Sequence, residues 1–253
     1  MNILEQILDI KQKEIEHMPP FANGIEPFHT LSLKDALTNQ RLSIIAEIKI
    51  KSPSEGLILP NADPIQIAKD YESAGASAIS VLTDQQFFGG HIDVLESIKN
   101  EVSIPILRKD FIIDPCQIIQ SGFAKADAFL LIAEALDDRK IAELIAIGNK
   151  MNLDVLVEFH SDENAKIIGE IKPEIVGVNC RDLKTMNTDI SYFAKIVNYL
   201  PRSSLKVAES GIKSPDDLKY VYDLGYDAVL VGTSLMKTGN PGKALDDLVG
   251  ELA

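Results

Sequence analysis

Histidine, cysteine and basic charge are all scarce in this chain, and each scarcity removes a class of function. Its four histidines, His17, His29, His91 and His160, include no HExxH pair. Its two cysteines, Cys116 and Cys180, form no CxxC, so zinc clusters and a disulfide framework are both excluded as expectations. Twenty-five Lys and Arg against 38 Asp and Glu leave a net charge of -13. That sign disfavours a nucleic-acid or membrane-surface binder, while leaving room for a local anion site. No apolar run reaches the ~18 residues of a membrane span. The opening MNILEQILDIKQKEIEH also lacks the unbroken apolar stretch of a signal peptide. A Walker A loop, a GxSxG elbow and a credible metal cluster are missing too. The expectation is a reduced, cytoplasmic, soluble protein.

What is present is a regular alternation. Asn2 to His17 places Ile3, Leu4, Ile7, Leu8, Ile10 and Ile15 at helical spacings. Pro19 and Pro20 stop this helix, a loop with Asn23, Gly24 and Pro27 follows, and a short helix is expected over Ser32 to Asn39. From Ser43 onward, short apolar runs suit strands at Ser43–Ile48, Ala78–Leu82, Ile104–Leu107, Ala128–Ile132, Asp154–Val157, Ile175–Val178, Lys206–Ala208 and Ala228–Val231. Helices are expected between and after them, near Pro64–Ala74, Ile92–Asn100, Pro115–Gly122, Arg139–Lys150, Glu163–Gly169, Ile190–Leu200, Pro215–Leu224 and Pro241–Val249. Asp63, Asp114, Ser214 and Asn240 each precede an early proline, the pattern of an N-cap followed by a residue whose missing N–H costs nothing there.

Eight βα units with two-sided apolar strands predict a parallel sheet covered by helices, closed as a (β/α)8 TIM barrel. An open doubly wound sheet is the main rival, but no GxGxxG follows the first strand. No linker divides the chain, so residues 1–253 read as one domain, with 1–42 as an N-terminal extension packed on the barrel.

Polar residues gather at the expected strand ends. Glu47 and Lys49 point the same way at the end of the first run, opposite to Ile48. Lys109 follows the third run, Glu158 closes the fifth, and Asn179 and Arg181 share one side of the sixth. Strand seven ends Ala208-Glu-Ser-Gly211 and strand eight Leu230-Val-Gly-Thr-Ser234. One inward ion pair is ordinary; polar groups at six of eight ends look like a catalytic mouth. Ser210, Gly211, Gly232 and Ser234 suit a phosphate site, because small residues let backbone amides approach an anion. Phe88, Phe111 and Phe159 are either packing residues or walls for an aromatic substrate, and His160 is expected at the surface or in a supporting position.

The same segments resemble the indole-3-glycerol-phosphate synthase family over almost the full length. The opening helix resembles that family's N-terminal extension. AEIKIKSPSEG (46–56), FFGG (87–90), LRKDFIID (107–114), LVEFH (156–160), VNCRDL (178–183), AESGI (208–212) and VGTSLM (231–236) resemble its motifs in order. Two positions depart from its commonest form and bear on local packing. Cys180 stands where asparagine or serine is usual, and Cys116 where an aromatic residue is common.

The resemblance implies a cofactor-free carboxy-lyase of tryptophan biosynthesis. Its reaction converts 1-(2-carboxyphenylamino)-1-deoxyribulose 5-phosphate into indole-3-glycerol phosphate, carbon dioxide and water. It implies Lys109 as general acid, Glu158 as the group removing a proton during dehydration, and Lys49 at the substrate carboxylate. Glu47 would orient the lysines, and Asn179 would align the substrate. Arg181, Phe88, Phe111, Glu209 and Ser210 would contact the substrate, with the two phenylalanines at the anthranilate ring. Ser52, Gly211, Gly232 and Ser234 would surround its phosphate, with Ser210 beside them. No metal, nucleic acid or membrane is implied, and a monomer is expected with a homodimer left open. The rivals are another phosphate-binding barrel, such as a phosphoribosylanthranilate isomerase, and a catalytically silent barrel kept as a partner subunit.

Overall fold

A computed structural model describes residues 2–20, 24–182 and 187–250; Asn23 of the expected loop and Leu183 of VNCRDL lie outside the described residues. The strands are β1 (Ser43–Ile48), β2 (Ala78–Leu82), β3 (Ile106–Lys109), β4 (Ala128–Ile132), β5 (Asp154–Phe159), β6 (Ile175–Asn179), β7 (Leu205–Glu209) and β8 (Ala228–Val231). Each pairs in parallel with its neighbour in sequence, and β8 returns to β1 through Ser43↔Ala228 to Ala46↔Val231. The result is a closed (β/α)8 barrel.

Alternation along β1 divides the core into two shells. Ile44, Ala46 and Ile48 pack outward with Ile67, Ala68 and Tyr71 of α3 (Pro64–Ser73). Ile45 turns inward to Ala78, Leu107, Leu156 and Ala228. Glu47, two residues beyond Ile45, therefore also turns inward, one layer nearer the mouth. Helix ends follow local chemistry. Asp63, Asp114, Ser214 and Asn240 accept backbone N–H bonds ahead of Pro64, Pro115, Pro215 and Pro241.

The segment before β1 touches both ends of the barrel. Helix α1 (Ile3–Ile15) begins in a capping box between Asn2 and Glu5, and its Ile3 and Ile7 reach the mouth at the strands' C-terminal ends. At the opposite end, Leu33 and Leu37 of a short turn of helix, α2 (Leu33–Ala36), and its C-cap pack under Ala78, Ala128 and Ala228, the first residues of their strands. Leu31 N–H donates to Asp127 Oδ1 at 2.7 Å, and Lys34 N–H to Asp154 Oδ2 at 2.9 Å, fastening this floor.

Several expected boundaries move. The third strand runs Ile106–Lys109 rather than Ile104–Leu107, so Lys109 is a strand residue instead of following the strand. The reason is compensation: Arg108, outward and 4% exposed, is fully engaged by Asp110, Thr83, Ser121 and the Gln117 carbonyl. A charged tripeptide thus continues a strand because its charges are neutralised locally. The helix expected at Ile190–Leu200 is a short helix, Tyr192–Ile196, followed by a 3-10 turn, Val197–Tyr199. Three small elements at the mouth were not foreseen: a hairpin pairing 51–52 with 56–57, and the one-turn helices Gln85–Phe88 and Thr233–Met236.

Candidate active site at the barrel mouth

The C-terminal ends of the strands surround a cavity of about 640 Å3, and every residue expected to be catalytic or to contact the substrate or its phosphate lines it. At its base, Glu47, Glu158 and Glu209 are 3%, 3% and 1% exposed, a depth at which a carboxylate needs a partner. The partners are two lysines. Lys49 Nζ lies 2.5 Å from Glu47 Oε1, while Lys109 Nζ lies 2.8 Å from Glu158 Oε2 and 3.2 Å from Glu209 Oε2. Asn179 Nδ2 donates to Glu158 Oε1 at 2.7 Å, and Asn179 Oδ1 accepts the Arg181 N–H at 3.0 Å.

Three carboxyl groups and two ammonium groups leave one negative charge over, and the environment decides where a proton goes. Burial pushes the Glu47 carboxyl up, but Lys49 and Lys109 outweigh it and hold it below its ordinary value. Burial also opposes ionisation of Glu158, and there Lys109 and Asn179 prevail, again lowering it. At Glu209, burial and the adjacent Glu158 act together; Lys109 offsets them only in part, so its carboxyl is held well above the ordinary range. Among the described residues, neither Glu209 oxygen accepts a well-directed hydrogen bond, which suits a neutral acid able to donate to Glu158. Burial disfavours the Lys109 ammonium, yet Glu158, Glu209 and Glu47 together raise it above an ordinary lysine.

Glycines make room for these groups. A Cβ on Gly177 of β6 would sit 2.1 Å from Glu209 Oε1, and one on Gly232 would sit 2.7 Å from Glu47 Oε1. Ser210 and Gly211, at φ 69° and 77°, turn the chain sharply after β7. Ser234 Oγ donates to the Ile212 carbonyl at 2.9 Å, joining the loops after β7 and β8. Ser52 is buried across the mouth, where its hydroxyl accepts the Glu55 N–H at 3.2 Å.

The aromatic residues separate. Phe88 and Phe111 face each other with ring centroids 6.1 Å apart, both at the cavity. Phe159 is fully buried in the outer core, so it packs between strand and helices. His160 supports the site: its Nδ1 lies 2.9 Å from the Asn179 carbonyl. The two unusual cysteines fill small spaces. Cys180 Sγ would be 3.0 Å from a Cβ on Gly211, and Cys116 packs with Sγ 3.8 Å from Met18 Sδ. Among the described residues, no cluster of three His, Cys, Asp or Glu side chains could hold a metal ion.

Sequence reasoning missed part of the wall. Leu82, Leu130, Ile132 and Leu230 supply apolar lining, and the two-residue alternation through Leu130 and Ile132 was the signal available. It also missed Asp84, Asp110 and the buried Lys11. The clue was Ile3, Ile7 and Lys11 at four-residue steps, which puts a lysine on the helix's apolar face.

Comparison with known proteins identifies the family. The family model described as indole-3-glycerol phosphate synthase matches residues 4–248. An indole-3-glycerol phosphate synthase of Priestia megaterium is 44% identical over 254 residues, covering 98% of each chain. One from Geobacillus sp. is 46% identical over 253 residues, covering 99% of this chain and 98% of its own. Among solved structures, 3-hexulose-6-phosphate synthase from Salmonella typhimurium superposes with a TM-score of 0.66 at 14% identity, over 84% of this chain and all of that one, a likeness of fold alone. Motifs, fold and near-complete relatives together show that the chain belongs to the indole-3-glycerol phosphate synthase family.

Proposed function

We propose that this protein closes, decarboxylates and dehydrates 1-(2-carboxyphenylamino)-1-deoxyribulose 5-phosphate, giving indole-3-glycerol phosphate, carbon dioxide and water. The observation that carries this reading is Lys109, a lysine held between Glu158 and Glu209 at the base of the mouth. Ring closure joins the carboxyl-bearing ring carbon to the ketone carbon and puts negative charge on the ketone oxygen. The Lys109 ammonium stands ready to protonate that oxygen as the charge develops.

Loss of carbon dioxide then returns its bonding electrons to the ring system. In the dehydration the new hydroxyl takes a proton from Lys109, recharged from solvent, and leaves as water, while the adjacent carbon of the new ring loses a proton. Glu158, ionised beside Lys109, is the base for that proton, and Asn179 holds its other oxygen in place. Lys49 meets the substrate carboxylate, with Glu47 fixing its direction at 2.5 Å and Arg181 on the same wall. Phe88 and Phe111 pack against the aromatic ring, with Leu130 and Ile132 completing an apolar surface. Ser52, Ser210, Gly211, Gly232 and Ser234 receive the phosphate. Glu209, carrying the extra proton, binds the substrate as a hydrogen-bond donor.

The reading uses a single domain and needs no residue from a second copy of the chain. Free thiols at Cys116 and Cys180 suit the reducing cytoplasm, and among the described residues no helix is long and apolar enough to cross a membrane. The direct test supplies the anilino-ketose phosphate to the purified protein and follows indole fluorescence and carbon dioxide release. Turnover with one carbon dioxide per indole product is expected; well-folded protein that gives neither rejects the reading.

A further inference from the structure

Lys11 is the one lysine of α1 buried on its apolar face, only 2% exposed. Its ammonium lies 2.9 Å from Glu14 Oε2, 3.0 Å from Asp84 Oδ2 and 3.0 Å from Asp110 Oδ1. Glu14 is its own helix neighbour and half exposed, whereas the other two carboxylates are buried and belong to separate loops of the mouth.

Each carboxylate organises a phenylalanine. Asp84 Oδ1 accepts the N–H groups of Phe87 at 2.8 Å and Phe88 at 3.2 Å, capping the single turn Gln85–Phe88. One turn of helix has little stability of its own, so this cap and its surroundings decide where Phe88 sits. Asp110 Oδ1 accepts the Phe111 N–H at 2.8 Å, and its Oδ2 takes Thr83 Oγ1 at 2.6 Å and Arg108 at 3.0 Å. Asp110 therefore keeps a cation and a hydroxyl without Lys11. For Asp84 Oδ2, Lys11 is the ion-pair partner, and among the described residues no well-directed hydrogen bond replaces it.

We propose that Lys11 is a positioning residue for the substrate's aromatic ring: its ammonium locks the Asp84 and Asp110 loops together and so fixes the gap between Phe88 and Phe111. The inference rests on the proposed function for the identity of the ring, but the lock itself is a property of the fold. Without the ammonium, the buried Asp84 carboxylate loses its one ion-pair partner among the described residues, a state that drives its loop outward toward water. Phe88 then moves away from Phe111, while Lys109, Glu158 and Glu209 keep their own contacts. Weaker ring binding with intact chemistry is the signature, which separates this role from loss of fold.

The test compares wild type, Lys11→Met and the charge-balanced double variant Lys11→Met/Asp84→Asn. The single variant should raise KM by about tenfold and leave kcat within about threefold. Its Phe87 and Phe88 amides should exchange with solvent at least about tenfold faster, while β5 amides stay protected. The double variant should recover most of the KM, because Asn still accepts both N–H bonds without a charge. Lys11→Gln, shorter but polar, carries the same expectations if Lys11→Met fails to fold. Unchanged exchange at Phe87 and Phe88 overturns the lock, and an unchanged KM overturns its role in ring binding. Absence of turnover in wild type sinks the assigned reaction instead, and the exchange measurement still decides the lock.

Discussion

Replacing Lys109 by methionine keeps most of the side chain's volume and removes its charge, which makes it the sharpest perturbation of the mouth. The ammonium lies 2.8 Å from Glu158 and 3.2 Å from Glu209, with its side chain 14% exposed. Breaking a buried pair by deleting one partner costs about 3–5 kcal/mol. The lower end applies here, because Asn179 still donates to Glu158 and Glu209 holds a proton it can share. A domain with roughly 5–15 kcal/mol of stability survives that loss. Turnover falls independently, by about 10²- to 10⁴-fold, when a general acid is removed.

The stability cost should also depend on pH, with a definite sign. In wild type, Lys109 is the main group holding the Glu158 carboxyl down against burial. Without it, burial and the neighbouring carboxyl groups push Glu158 up. The folded variant then keeps a proton that the unfolded chain releases above about pH 4.3. Stability of the variant therefore falls as pH rises through that window, and the gap to wild type is larger at pH 7 than at pH 4.5. Urea denaturation followed by circular dichroism at both values measures the gap, and single-turnover indole fluorescence on the folded fraction measures chemistry. A kcat within threefold of wild type would refute the acid role. A gap that widens toward low pH would refute the electrostatic account.

Glu209 and Glu158 should respond differently to amide replacement. Glu209→Gln swaps one neutral group for another and should leave Tm at pH 7 within about 2 °C, whereas Glu158→Gln removes the ionised partner of Lys109 and should lower it clearly; scanning calorimetry that finds equal losses contradicts the proton's placement. Asp127→Ala strips the Ile106 N–H at 2.7 Å, the Leu31 N–H at 2.7 Å and the Lys99 ammonium of their shared acceptor. It should cost about 2–4 kcal/mol in urea denaturation while kcat of the folded fraction is retained. Gly232→Ala puts a Cβ 2.7 Å from Glu47 Oε1 and 2.8 Å from Glu47 Cβ, so it should displace Glu47 and lower kcat at least about tenfold; near-normal kcat would show that Glu47's position is not needed.

How much of this was readable in the sequence depended on whether a signal was local. Strands such as Ala78–Leu82 and Ala128–Ile132 announce themselves as short apolar runs between turn residues, and the Asp-Pro and Ser-Pro caps mark helix starts. Glu47 was legible because its strand alternation is unbroken. β3 was misplaced by two residues because Arg108 and Lys109 look like loop charge until other elements bring Thr83 and Ser121 to Arg108, and Glu158 and Glu209 to Lys109. The same blindness hid Lys11: its partners Asp84 and Asp110 lie more than seventy residues along the chain. Nor does local sequence say which of three carboxyl groups keeps a proton, since that follows from the distance of each to two lysines.

That proton also bears on how so acidic a protein receives a substrate carrying both a carboxylate and a phosphate. Glu209 immediately precedes Ser210 and Gly211, the turn assigned to the phosphate, and an ionised carboxylate there would repel it. With Glu209 neutral, the ionised carboxylates at the base are Glu47 and Glu158, each beside a lysine. The rest of the wall adds Arg181, Lys213 and Lys237, although Lys237 is engaged by Glu55 at 2.7 Å. With Glu209 neutral, the five lining cations, Lys49, Lys109, Arg181, Lys213 and Lys237, match the other five lining carboxylates, so the mouth is locally balanced against an overall charge of -13. Raising pH until Glu209 ionises would add negative charge next to the phosphate turn. KM for the phosphorylated substrate should therefore rise at alkaline pH in wild type and rise less in Glu209→Gln. The opposite ordering of the two KM profiles would separate the Glu209 proton from phosphate binding.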